Sequence, residues 1–267
     1  MKNTVYGISW GKALTTLCLG LTLMSAHAPK MNNTGHGYCL EEVVEEPECF
    51  TAIQVQEVMN VVYIRDVSGS AEMVEFDSKK TLKKVLSMLD LKESKAKVNL
   101  YTSTIGSHGI PVVNVATLPG VEGRFASAGD RNNDLYSFVK KSLADFAQLD
   151  QPTHGSTEIF RTLVAVTDLL EPGADRTILI ISSDFISSGA VTSFLKYNPP
   201  EELMKDFEEI MDKFKKDNGG KLPNLTGAEV IMVSFAGSNQ LAIWSTNFWE
   251  DAFYYMGTSN VVKKAAL

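Results

Sequence analysis

A chain of 267 residues with 44% hydrophobic and 21% charged side chains holds enough apolar material to bury a core in a domain of ordinary soluble makeup. Its formal charge of −7 does not point to nucleic acid, which needs clustered Lys and Arg, and the one basic cluster, Lys79, Lys80, Lys83 and Lys84, sits at helical spacing and reads as a solvated helix face.

Residues 1–28 set Lys2 and Lys12 ahead of the apolar run ALTTLCLGLTLMSA and end in Ala26-His27-Ala28, the pattern of a secretory signal peptide with a small-x-small cleavage site. The apolar run is shorter than the roughly 20 residues that span a bilayer, so no stable membrane span is expected once it is cleaved. Cys18 follows Thr-Thr-Leu, a poor lipidation context. Removing these residues takes away two lysines and no acid, which moves the net charge to −9.

Residues 29–55 read as an exported linker with little periodicity. Cys39 and Cys49 flank an acidic stretch there. In an oxidising compartment a disulfide closing this small loop is the favoured reading. Two free thiols remain the alternative. A zinc site using His36 lacks a second Cys/His pair at ligand spacing.

From residue 56 to 267 short β-branched runs alternate with longer amphipathic segments. The strand candidates are NVVYIR (60–65), KVNLYTSTI (97–105), PVVNVAT (111–117), TILIISS (177–183) and AEVIMVSF (228–235). The first, fourth and fifth are continuously apolar, as strands covered on both faces are. Between them, 78–89 puts Leu82, Val85, Leu86 and Leu89 on one helical side, and 133–149 does the same with Leu135, Phe138, Val139, Leu143 and Phe146. Further helices are expected over 157–170, 200–216 and within 239–256. The alternation predicts an α/β fold, a doubly wound and mainly parallel sheet flanked by helices. The second and third strands are joined through GSHGI, close enough for a hairpin, so one edge strand is expected to run antiparallel.

Ligands of open α/β sheets collect beyond the carboxyl ends of the strands. The first strand runs into Asp66, Ser68 and Ser70, the fourth into Asp184, and the loop QPTHGSTE delivers Thr157 ahead of a helix. Two carboxylates and three hydroxyls make an all-oxygen donor set for a hard cation, Mg²⁺, Mn²⁺ or Ca²⁺. Hydroxyl and water ligands leave such a cation electrophilic toward an incoming carboxylate. Taken singly, Asp66, Ser156, Thr157 and Asp184 are better explained as helix caps or turn residues. Together, at the expected strand ends, they favour a site.

D-V-S-G-S after an apolar strand, G-S-T before a helix and an Asp closing the fourth strand resemble the von Willebrand factor A domain over roughly residues 58–260. The resemblance implies a metal-ion-dependent adhesion site of Asp66, Ser68, Ser70, Thr157 and Asp184, with the hydroxyls on the metal and the two aspartates acting directly or through water. It also implies a metal that captures an acidic residue of a protein partner. Three positions depart from the usual pattern: Arg65 in place of an apolar residue, Ala71 in place of Met, and Phe185 in place of Gly. Arg65 is expected to pair with a nearby carboxylate and so to compete with a cation.

The expected function is therefore an exported, periplasmic or extracellular, cation-dependent adhesion-type domain and not an enzyme. One alternative is a metal-free structural subunit of an envelope or secretion assembly. Another is a Mg²⁺-dependent phosphoryl-transfer hydrolase with Asp66 as nucleophile. Against the latter, Ser68 stands where such enzymes carry a second Asp, and neither a G-x-S-x-G elbow nor a Gly-rich phosphate loop is present. His108 and His154 read as solvated loop residues, and the C-terminal aromatics from Trp244 to Tyr255 as a packed helix face.

Overall fold

Among the described residues six strands form a single sheet in the order β3-β2-β1-β4-β5-β6. The computed structural model describes residues 57–68, 75–91, 94–106, 111–121, 128–150, 156–235 and 237–267, all within one unit, Ile53–Leu267. The expected signal peptide, the linker, Cys39, Cys49 and His36 lie outside the described residues, as do Ser70, Ala71, His108 and His154.

The strands are β1 (Val58–Asp66), β2 (Lys97–Ile105), β3 (Val113–Leu118), β4 (Arg176–Ser183), β5 (Glu229–Ser234) and β6 (Asn260–Lys264). The β2–β3 pair is antiparallel, with Ser103 opposite Val113, and every other pair is parallel. The α/β architecture with one antiparallel edge strand is therefore present. The sixth strand was not expected: NVVKK offers two apolar side chains and lies mostly exposed at the sheet edge.

Both faces of β1 are covered, which is why its sequence is apolar without alternation. Met59, Val61 and Tyr63 enter one core cluster with Ile178 and Ile180 of β4. Helices α1 (Ser78–Ser87) and α2 (Ala128–Gln148) close that side through Leu82, Val85, Phe138 and Phe146. Val62 and Ile64 enter the other cluster with Leu179 and Ile181. There α3 (Ile159–Thr167), α5 (Phe207–Asp217) and α6 (Gln240–Tyr255) supply the cover. Aromatic side chains fill this second layer: Phe160 stacks on Phe214 at 4.4 Å between centroids, and Trp249 on Phe214 at 5.7 Å. Burying each such ring removes 150–250 Å² from water, so this layer dominates the packing energy. The C-terminal aromatics Phe248, Trp249 and Phe253 are thus core, as their spacing indicates.

One expected helix is two. The segment 200–216 divides into α4 (Glu202–Lys205) and α5, separated at Asp206, whose backbone leaves helical values at φ −92°, ψ 11°. Its carboxylate accepts a hydrogen bond from the Tyr197 hydroxyl at 2.9 Å, which ties the break to the preceding loop.

A candidate metal centre at the end of the central strands

β1 and β4 are neighbours, with β2 beyond one and β5 beyond the other. Connections from the two strands therefore leave in opposite directions and open a crevice at their carboxyl ends. Asp66 ends β1 and Ser183 ends β4, so the crevice is walled by one residue of the motif and by a serine outside it.

Asp66 is 1% exposed. Its Oδ1 accepts from the Ser68 backbone N–H at 2.9 Å, an Asx turn that folds the chain back over the carboxylate. Its Oδ2 accepts from Ser183 Oγ at 2.5 Å, and Ser183 Oγ in turn accepts from the Phe185 N–H at 2.9 Å. Asp184, also buried, accepts from the Ile186 N–H at 2.9 Å. Burial pushes the Asp66 carboxyl above the ordinary aspartate range. The hydrogen bonds from Ser183 and Ser68 act against that shift, and the neighbouring Asp184 charge adds to it. Two carboxylates held near each other out of water are each a cost to the other, which a cation would relieve.

Thr157 reaches the same end of the sheet by a different route. α3 leads directly into β4, so its N-terminus lies at the carboxyl edge. The loop after β4 fastens it there: Thr157 N–H donates to Ser188 Oγ at 2.9 Å, and its carbonyl accepts from Ser188 N–H at 3.1 Å and Ser187 Oγ at 3.3 Å. Glu158 strengthens the joint by accepting from the Ala190 N–H at 3.0 Å. A Cβ on Gly189 would stand 2.9 Å from the Glu158 side chain, which marks how closely the loop and the start of α3 approach.

Ser68 is 3% exposed, and among the described residues its hydroxyl reaches no partner in hydrogen-bonding geometry, although it lies close enough to Asp66 to ease that charge. A buried hydroxyl left without a partner costs about 1–3 kcal/mol. An oxygen-seeking cation would use it, so the residues present fit a hard divalent metal. Among the described residues no group of three or more His, Cys, Asp or Glu side chains could hold a metal. The donor set at this crevice is accordingly two carboxylates supplemented by hydroxyls, unlike a zinc site.

Arg65 pairs with a carboxylate, as expected, and that carboxylate is Asp150. Its side chain belongs to the opposite face of β1, where Nη1 donates to the Leu149 carbonyl at 2.7 Å and to Asp150 Oδ1 at 2.9 Å. Its guanidinium also lies 3.9 Å from the Phe76 ring centroid. The carboxylate it pairs with is thus at the end of α2. Ser183 was overlooked in the sequence, although IISSDF sets it beside Asp184 at the end of a buried strand.

On the α1 side of Asp66 opens a cleft of about 300 Å³, bordered by Tyr63, Phe76, Lys80, Lys84 and Val233. Burial pushes the Tyr63 hydroxyl up to about 12, so it stays protonated at neutral pH.

No family model matches the chain, and neither does any curated protein. Among solved structures it is similar to the human COPII-coat protein Sec24c, at 13% sequence identity and a TM-score of 0.38. The likeness covers 79% of this chain and 30% of that one, so this chain spans less than a third of that protein's length.

Proposed function

We propose that the protein is an exported, cation-dependent protein-binding domain of the von Willebrand factor A type that captures an acidic side chain of a partner. Asp66, Ser68, Thr157 and Asp184, with Ser70, would hold Mg²⁺ or Mn²⁺ at the end of β1 and β4. When bound, the cation supplies an electrophilic position for a partner carboxylate. The observation that carries this reading is the buried, unpartnered Ser68 hydroxyl beside Asp66, whose own carboxyl is raised by burial and by Asp184.

The protein's own part is to hold the donors before the cation arrives. The Asx turn fixes the Ser68 backbone, Ser183 fixes the Asp66 carboxylate, and Ser188 fixes the Thr157 backbone, so these positions are set before a cation binds.

Calorimetric titration of the purified protein with MnCl₂ tests the proposal. Binding should be present in the wild type and lost in Ser68→Ala and Asp66→Ala. At a metal concentration of about 100 times Kd the native state gains about 2.7 kcal/mol, visible as a rise in Tm. Absence of heat and of any Tm shift would overturn the metal reading. Hydrolysis of phosphate esters that disappears in Asp66→Asn would overturn the assignment as a binding protein.

A further inference from the structure

The short segment 183–188 at the end of β4 contains one donor of the candidate metal centre and bonds two others. Ser183 Oγ donates to Asp66 Oδ2, Asp184 lies within the segment, and Ser187 and Ser188 bond the Thr157 backbone. Asp66 in turn accepts from the Ser68 N–H at 2.9 Å, so four positions of the donor set are joined through this segment. Whatever fixes residues 183–188 therefore fixes the site.

Phe185 lies in the middle of the segment, and two observations single it out. Its backbone is in the left-handed region at φ 63°, which a bulky side chain rarely adopts. Among the described residues Asp90 is the other non-glycine there, but it is exposed after α1 and aspartate tolerates the conformation. The Phe185 ring, by contrast, is fully buried, in the core cluster that holds Ile64, Ile159, Ile181 and Phe194. Glycine would adopt the same turn at no steric cost and would leave nothing to tie it to the core. The turn also has a chemical consequence. The Phe185 N–H comes back onto Ser183 Oγ at 2.9 Å, and the Ile186 N–H onto Asp184 Oδ1 at 2.9 Å. Accepting from Phe185 orients the Ser183 hydroxyl, whose proton then goes to Asp66.

We propose that Phe185 is the positioning residue of the donor set: its buried ring clamps a left-handed turn that sets Asp66 through Ser183, aims Asp184, and holds Thr157 through Ser187 and Ser188. Phe185 itself touches neither cation nor partner. The role rests on the metal reading only for what the positioned oxygens bind, since the positioning belongs to the metal-free chain.

Three amides report the donors one by one: the Ser68 N–H on Asp66, the Ile186 N–H on Asp184, and the Thr157 N–H on Ser188. Native-state hydrogen exchange followed by NMR, on the full chain in chelator, compares wild type with Phe185→Gly and Phe185→Leu. Phe253→Ala is the control, because it empties the same core cluster near the C-terminus of α6. Phe185→Gly keeps the turn permitted and removes its anchor, so all three amides should exchange about tenfold faster or more, while Phe253→Ala should leave them within about twofold of wild type. Manganese affinity by calorimetry, below the melting range of every variant, should fall about tenfold in Phe185→Gly and stay near the wild-type value in Phe253→Ala. Phe185→Leu refills part of the space and should show the same changes at about threefold, which carries the test if the glycine variant does not fold. A change confined to the Ile186 amide, or equal changes in Phe253→Ala, would overturn the inference, since Phe185 would then act as any core residue does. Failure of manganese to bind wild type, with the three amides still loosened by Phe185→Gly, would remove the metal reading and leave the positioning role standing.

Discussion

Ser183 holds Asp66 across the central strand pair: its hydroxyl donates to Asp66 Oδ2 at 2.5 Å while accepting from the Phe185 N–H at 2.9 Å. Ser183→Ala removes both bonds in one step and leaves a buried carboxylate oxygen and a buried N–H without partners. That should cost about 2 kcal/mol, or about 4–8 °C in Tm for a chain of this size. Manganese affinity should fall with it, because Asp66 loses the bond that orients it. A Tm within about 1 °C of wild type would show that the bond contributes little.

Asp66 makes stability depend on pH in a direction opposite to that of a surface aspartate. Its folded carboxyl is raised above the unfolded value by burial. The contribution of the neutral form is therefore fully present below the unfolded pKa of about 4 and is lost as pH rises through the folded value. In chelator, wild type should lose stability relative to Asp66→Asn over that rise, and at neutral pH Asn should be the more stable of the two. Saturating Mn²⁺ should restore wild type and leave the Asn variant unchanged. Parallel Tm profiles of the two proteins against pH would contradict this.

Arg65→Met should weaken the fold without weakening metal binding. The guanidinium caps the end of α2 through Leu149 and Asp150 and covers Phe76. Loss of a buried charge-assisted hydrogen bond costs about 1.5–3 kcal/mol. If Arg65 competed with the cation, its removal would instead raise Mn²⁺ affinity, and calorimetry separates the two outcomes.

Phe185 occupies the left-handed region at φ 63°, which favours glycine, yet its side chain is fully buried. Phe185→Gly would relieve about 1 kcal/mol of backbone strain and give up about 3–5 kcal/mol of packing. Packing wins, so a net loss of about 2–4 kcal/mol is expected in chemical denaturation. A stabilised variant would mean that the strain exceeds the value of the ring.

Most of the fold can be read from periodicity, since β1, β4 and β5 are apolar runs and α1 and α2 carry apolar stripes. β6 escapes that reading because an edge strand needs little apolar surface, and Asn260–Lys264 has almost none. The division at Asp206 escapes it because Leu203, Ile210, Met211 and Phe214 keep a helical spacing across the break, and all four are buried. At the site, Asp66, Ser68, Thr157 and Asp184 are recognisable because their chemistry is unusual at strand ends. The role of Arg65 is not, since its partner Asp150 lies 85 residues further along and only the folded sheet brings the two together. Ser183 is hidden for a related reason: a serine beside an aspartate is ordinary until the neighbouring strand is known.

The adjacency of β1 and β4 also governs when the crevice can exist. Asp66 and Ser183 are 117 residues apart in the chain. A polypeptide delivered amino end first presents β1, β2 and β3 long before β4 arrives, so β1 keeps one bare flank, rich in valine and isoleucine, throughout that interval. Closing so long a loop is slow, and it exposes the central strand to pairing with other chains. The crevice is then among the last parts to form, which makes its occupation a report that the whole sheet has been assembled.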